Sequence, residues 1–208
     1  MKKTLYIFVL FIFLNCSSNF YKNSISEISN VEIKYENGKL INGKLNFPIY
    51  LNQYFLYFKS AESGKMKIKA DEITEITYKI PNENVVFSKM SIIGKQISTE
   101  VRDNQFLRLI SKGKINLYKG YNYGFLYKKK KTKKFLQKTD LYYCKRENEK
   151  NLTLIYYVDN ESNNDELLKI KAQEYFSNYP EFRETIENKN FNPEFLIQFI
   201  NKYNNENK

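Results

Sequence analysis

VEIKYENGKL, residues 31–40, is the stretch on which the fold turns. Val31, Ile33 and Tyr35 alternate with Glu32 and Lys34, the period of two that puts one strand face in a core and the other in water. Asn37-Gly38 then supplies a pair that tolerates φ > 0, as a type I′ turn requires, and Leu40 resumes a second strand. The antiparallel pattern repeats beyond it. Residues 54–58 form a near-continuous apolar run, which predicts a strand buried on both faces. Ser60 to Gly64 turns the chain, and Met66, Ile68 and Ala70 alternate again. Residues 71–76 suit one helical turn before a strand at 77–80. Further strands are expected at 85–89, 106–110, 115–118 and 123–127, and a hairpin joins 141–146 to 152–157 across residues 148–151. Short strands, close turns and no interleaved helices predict a single antiparallel sheet rolled into a barrel or sandwich.

The pattern changes at Asp159, where NESNNDE reads as a polar linker. Asp165 is placed to cap a helix whose apolar side carries Leu167, Leu168, Ile170, Ala172, Tyr175 and Phe176. Asn178 is placed to cap a second, with Pro180 in its first turn and Phe182 and Ile186 facing inward. Asn192-Pro193 opens a third, a cap followed by proline at the first helical position, with Phe195, Leu196, Phe199, Ile200 and Tyr203 on one face. Helices this short do not stand alone, so they should pack on one another and on the sheet. The fold class expected is α+β: a β-rich domain over 31–158, mainly antiparallel, then a three-helix segment over 159–208.

Composition bounds the chemistry. The chain is 42% hydrophobic and 16% aromatic, enough to bury a core, and its net charge of +11 favours anionic surfaces over other partners. There is no histidine, which removes the commonest general base and the commonest zinc and copper ligand. A Ser-His-Asp triad or Cys-His dyad therefore cannot be built from this chain alone. The abundance of Lys, Asn, Ile and Tyr, with few Ala, Gly and Arg, looks like the bias of an AT-rich genome. Part of the tyrosine and lysine excess then reflects codon usage.

The N-terminus carries Lys2 and Lys3, an apolar run from Leu5 to Leu14, and Cys16. Ten residues rising about 1.5 Å each fall short of a roughly 30 Å hydrocarbon core, so the run reads as a signal-peptide h-region rather than a span. A cysteine just after it resembles the lipobox of bacterial lipoproteins. That resemblance implies a signal peptide over 1–15, diacylation of Cys16 and a tether over 16–30; cleavage after Ser18 by the ordinary signal peptidase is the alternative. Loss of Lys2 and Lys3 lowers the charge from +11 to +9. Export disfavours nucleic acid as partner. Lipidation would leave Cys144 alone, with no disulfide framework.

ENGKLINGKLNF (36–47), GKINLYKGYN (113–122) and the helical ending from Leu167 to Asn204, closing on Tyr-Asn, resemble a group of uncharacterised exported proteins of Bacteroidetes, flavobacteria especially. The resemblance implies export and this order of β domain and short helices. It implies no catalytic residue and no cofactor.

Candidate chemistry is sparse. Lys128, Lys129, Lys130, Lys131, Lys133 and Lys134 place six lysines in seven residues. They read as a solvated loop between strands, with contact to an anionic lipid or envelope polymer as the functional alternative. Cys144, in YYCKRE, has cations nearby in sequence, but alternation puts Lys145 on the opposite face, so a buried core thiol is expected. Asp71, Glu72 and Glu75 share a helical turn without the spacing of a calcium loop, so no metal is expected there. Ser63-Gly64-Lys65 lacks the remaining residues of a phosphate-binding loop and reads as a turn. YKGYNYGFLY, residues 118–127, reads as core strand with turn glycines; tyrosines exposed there could stack on a sugar or peptide.

These readings lead to a non-enzymatic, cofactor-free cell-envelope lipoprotein with a binding or structural role. No acidic cluster follows Cys16 in CSSNFYKN, which favours the outer membrane and its periplasmic side over the cell surface. The alternatives are an interaction module for a peptide, glycan or anionic envelope surface, and a hydrolase working with carboxylates alone.

Overall fold

The computed structural model describes residues 27–92, 95–96, 99–100, 104–127, 134–158, 166–187 and 192–206. The chain runs through β1 (Glu27–Tyr35), β2 (Leu40–Phe47), β3 (Phe55–Ser60) and β4 (Gly64–Lys69) to a single 3-10 turn at Ala70–Glu72. It continues through β5 (Ile73–Ile80), β6 (Glu83–Ser91), the two-residue strands β7 (Lys95–Gln96) and β8 (Thr99–Glu100), then β9 (Asn104–Ser111), β10 (Ile115–Tyr127), β11 (Lys134–Arg146) and β12 (Thr153–Val158). Three helices come last: α1 (Glu166–Tyr175), α2 (Pro180–Glu187) and α3 (Pro193–Glu206). This is the α+β class expected, mainly antiparallel β with short C-terminal helices.

Ten strands form one sheet in the order β12-β11-β10-β9-β6-β5-β1-β2-β3-β4, every neighbour antiparallel. Of the rolled sheet, barrel or sandwich expected, the described residues form an open sheet, with β12 and β4 as two separate edges. The sheet is nevertheless rolled. The link from β2 to β3 reaches across to β10, where Tyr50 bridges Tyr121 and the Leu51 N–H donates to the Tyr121 carbonyl at 2.7 Å.

Local chemistry explains several departures from the sequence pattern. The β1–β2 turn is not the expected type I′, which needs two residues at positive φ: Gly38 has φ +81° while Asn37 keeps a negative φ. The Gly38 N–H donates to the Tyr35 carbonyl and the Tyr35 N–H to the Lys39 carbonyl, the arrangement of a type I turn ending in a glycine bulge. In β3 burial alternates: Leu56 and Phe58 are inside, and Phe55 and Tyr57 are exposed. The apolar run is thus one-sided, correcting the expectation of burial on both faces. The segments expected at 115–118 and 123–127 are a single 13-residue strand, paired with β11 from Ile115↔Arg146 to Tyr127↔Lys134. β1 starts at Glu27, within the stretch expected as tether.

One face of the sheet, from β1 to β6, supplies a core that includes Ile33, Phe58, Ile76, Tyr78 and Phe87. Close pairing of β3 with β2 depends on Gly43, since a Cβ there would lie 2.3 Å from the Phe58 ring and 2.5 Å from the Lys59 carbonyl oxygen. Strands β10–β12 are covered on both faces. Leu117, Tyr142, Cys144 and Ile155 lie under the helices, while Tyr118, Leu141, Tyr143 and Leu154 pack with Leu51, Ile92 and Leu107. The helices bury apolar side chains on each other and on the sheet as expected, but Ile170 of α1, expected on that apolar side, is half exposed. Their centre is Phe182, whose ring centroid lies 4.1 Å from that of Phe176 and 4.8 Å from that of Phe199.

Candidate functional site

The residues with chemistry to offer collect in three places: the sheet face between the two cores, the junction of α1 with β11, and the outer side of the helices. On the sheet, antiparallel register sets Lys119 opposite Tyr142 and Tyr121 opposite Asp140, all on one face. Lys119 Nζ lies 2.7 Å from Asp140 Oδ2 and 4.9 Å from the centroid of the Tyr121 ring. Burial lowers the affinity of this ammonium for its proton, but the hydrogen bond to Asp140 and the charges around it outweigh burial and raise it. Lys119 is therefore a fixed cation and not a base. Asp140 Oδ1 is buried and has no hydrogen-bond partner among the described residues. Next along the belt, Arg108 Nη2 holds Glu83 Oε1 at 2.9 Å. Each of these acids is held by a cation.

A second ionic cluster fastens α1 to β11. Arg146 donates to Glu149 Oε1 at 2.8 Å and its guanidinium lies 4.0 Å from the centroid of the Tyr175 ring. Burial works to raise the Glu149 carboxyl, but the Arg146 N–H, the Tyr175 hydroxyl and the guanidinium together hold it below the ordinary carboxylate range.

The helices carry a groove of about 350 Å³ between α2 and α3. Its walls include Tyr179, Phe199 and Tyr203, half-buried rings meeting edge to face: Tyr179 is 5.8 Å from Phe199 and 5.0 Å from Tyr203, centroid to centroid. The rim is ionic, with Lys202 Nζ 3.1 Å from Glu181 Oε2 and Glu206 nearby. Burial and a hydrogen bond with Tyr203 push the Tyr179 hydroxyl up to about 12, so it stays protonated at neutral pH. The local fold explains the placement. Asn192 Oδ1 accepts from the Phe195 N–H at 2.8 Å, the expected cap of α3. Pro180 opens α2 as expected, but the helix is entered through Tyr179, whose carbonyl accepts from the Phe182 and Arg183 N–H groups; Asn178 is one residue too early to be the cap.

The residues singled out in the sequence are dispersed. Cys16, Lys128, Lys129, Lys130, Lys131, Lys133 and the expected cap Asp165 lie outside the described residues, while Lys134 opens β11 instead of ending a loop. The helical turn expected over 71–76 is only the 3-10 turn Ala70–Glu72, where the Asp71 carbonyl accepts from Lys89 Nζ at 2.7 Å; Glu75 lies in β5, so the three acids do not share a turn. Among the described residues no group of three or more His, Cys, Asp or Glu stands close enough to hold a metal. Tyr118 and Tyr121 are buried, so that part of residues 118–127 is core and offers no contact surface. Gly64, with φ +69°, starts β4 after a turn, as read from Ser63-Gly64-Lys65.

Cys144 is fully buried beneath the helices, and burial pushes its thiol well above the ordinary value, with Arg146 only partly opposing. In a variant lacking Cys16, this thiol should fail to react with a disulfide reagent at pH 8 until denaturant is added. Rapid stoichiometric reaction of the native protein would show the helices opening from the sheet.

Of the groove rings, Phe199 and Tyr203 were legible only as the apolar face of a helix and Tyr179 not at all; nothing in their spacing separates a ring that packs inward from one that lines a depression. No protein-family model, no curated protein and no solved structure matches this chain.

Proposed function

We propose that the chain is a non-enzymatic binding protein of the cell envelope, exported by residues 1–15 and anchored through a lipid on Cys16, that presents the groove between α2 and α3 to a ligand. The observation that carries the binding role is the groove itself. Three half-buried aromatic rings line about 350 Å³ under a rim formed by Glu181, Lys202 and Glu206, a combination of apolar wall and polar groups suited to a small molecule or a single side chain. The anchor is supported by the apolar run Leu5–Leu14 and the cysteine two residues later. A non-enzymatic role is supported by a chain without histidine, in which Asp140 and Glu149 are each neutralised by a neighbouring cation. The periplasmic side of the outer membrane is favoured by the lack of acids after Cys16.

The anchor is tested by metabolic labelling with a fatty-acid analogue. The native chain should be labelled, and Cys16→Ala should abolish the label and accumulate precursor. A Cys16→Ala protein processed normally to a soluble periplasmic product would remove the lipid from this reading.

A further inference from the structure

The outward face of β2, β3 and β4 is unlike the rest of the sheet. These three strands contain no acidic residue. Register places their lysines side by side: Lys44 opposite Lys59, Lys59 opposite Lys65, Tyr57 opposite Lys67, and Phe55 opposite Lys69. All five lysines are exposed. Between them stand apolar side chains that the fold leaves in water, Tyr57 at 73% and Phe55 at 39% exposure, with Lys67 Nζ 3.8 Å from the centroid of the Phe55 ring. One strand further in, β1 adds Ile28 to the same face at 66% exposure.

From this arrangement we infer that the outward face of β1–β4 docks on an anionic lipid surface, with the lysines meeting headgroups and Ile28, Phe55 and Tyr57 entering the interface. Three features favour lipid over a soluble polyanion. Lysine is a mobile point charge suited to headgroups, whereas paired recognition of single phosphates favours arginine, and none of these three strands carries one. A cluster of exposed aromatic and aliphatic side chains ringed by cations is the composition of an interfacial membrane contact. The third feature rests on the anchoring proposed above. Glu27 pairs with Phe47, and the antiparallel step to β3 puts Phe55 and Lys69 at that same end of the sheet. The chain coming from Cys16 enters β1 there, and the eleven-residue step from position 16 to 27 spans at most about 40 Å. An anchored chain would hold this face within reach of its own bilayer.

The test uses the chain from Ser17 onward, which keeps every element described and carries no lipid, so that docking is read separately from anchoring. It is mixed with vesicles of equal parts phosphatidylcholine and phosphatidylglycerol, and with phosphatidylcholine alone. Binding should require the anionic lipid and weaken steeply as salt shortens the screening length from about 30 Å at 0.01 M to about 8 Å at 0.15 M. Changing Lys59, Lys65, Lys67 and Lys69 to Gln should cost about 600-fold in partitioning, since each lysine near such a surface contributes roughly a fivefold factor. The same exchange at Lys128–Lys134 should cost less. Phe55→Ser with Tyr57→Ser should weaken vesicle binding but leave binding to soluble heparin unchanged. Circular dichroism and the thermal midpoint confirm that each variant is folded. Full binding by the folded Gln variant, or none by the native chain at any salt, would overturn the inference. Equal loss of heparin and vesicle binding in the Phe55/Tyr57 variant would overturn the lipid as partner and leave a polyanion site. If docking holds while Cys16 is unlabelled in cells, the face survives and the anchor falls.

Discussion

Asn204→Leu is expected to lower stability by about 2–4 kcal/mol, far more than a polar residue near the end of a terminal helix would ordinarily cost. Asn204 is buried, and its amide acts as a missing strand edge. Its Oδ1 accepts from the Ile115 N–H at 3.0 Å, and its Nδ2 donates to the Ile115 carbonyl at 2.9 Å and to Ser111 Oγ at 3.2 Å. Leucine has a similar volume and no donor or acceptor, so a backbone N–H and a carbonyl would be left buried and unpaired. Each such group costs about 1–3 kcal/mol. Gly113 allows the turn to lie directly against this side chain: a Cβ at Gly113 would lie 2.3 Å from Asn204 Cγ. Urea denaturation of Asn204→Leu and of Asn205→Leu, an exposed neighbour, isolates the effect. The Asn205 variant should stay within about 0.5 kcal/mol of the native chain. Equal midpoints for the two would show that the amide is not the tie between α3 and the β9–β10 turn.

Phe182→Ala should cost about 3–5 kcal/mol and take the helices off the sheet, while β1–β6 keep their pairing. Phe182 is fully buried and its ring packs on Phe176, Phe195 and Phe199. It is the contribution of α2 to a cluster drawn from all three helical segments. An eight-residue helix has no stability of its own, so its position depends on this burial. At about 2–4 °C per kcal/mol for a chain of this size, the thermal midpoint should fall by on the order of 10 °C. Two further signs should accompany it: Cys144 should become reactive in the native state, and the groove should vanish with the packing of Phe199 against Tyr179. A shift no larger than that of Phe55→Ala, a half-exposed ring on the outer face, would mean that the helices are held by something else.

The two sites differ in how far the sequence reveals them. Alternation in β1, the turn at Gly38 and the Asn192-Pro193 cap are local matters: one residue's φ preference or one side-chain hydrogen bond decides them, and the sequence displays it. Tyr203-Asn204, noticed as the close of the helical segment, is a different case. Nothing local says that Asn204 is buried against Ile115, 89 positions away. Residues 54–58 misled for a related reason. An apolar run fits a doubly buried strand, but β3 lies next to the edge strand, and the core covers only its Leu56 and Phe58 side.

The same distinction applies to the binding surfaces. Lysines at 65, 67 and 69 are visible as the polar half of an alternating strand, and by themselves mean only a solvated face. That they join Lys44 and Lys59 around Phe55 and Tyr57, at the end of the sheet where the chain arrives from Cys16, comes from strand register across four strands. The groove arises likewise, because two helices separated by an unpatterned loop bring Tyr179 beside Tyr203. By itself the sequence determined the α+β class, most of the strands, the three helices and the absence of histidine. These depend on residue types and on spacings of two to four, which short-range forces fix. The tertiary structure alone decided that the sheet stays open, which tyrosines are core, which lysines form one face and where the aromatic groove lies. Those depend on contacts between distant residues, and hydrophobic burial, which drives them, has no direction that a sequence could record.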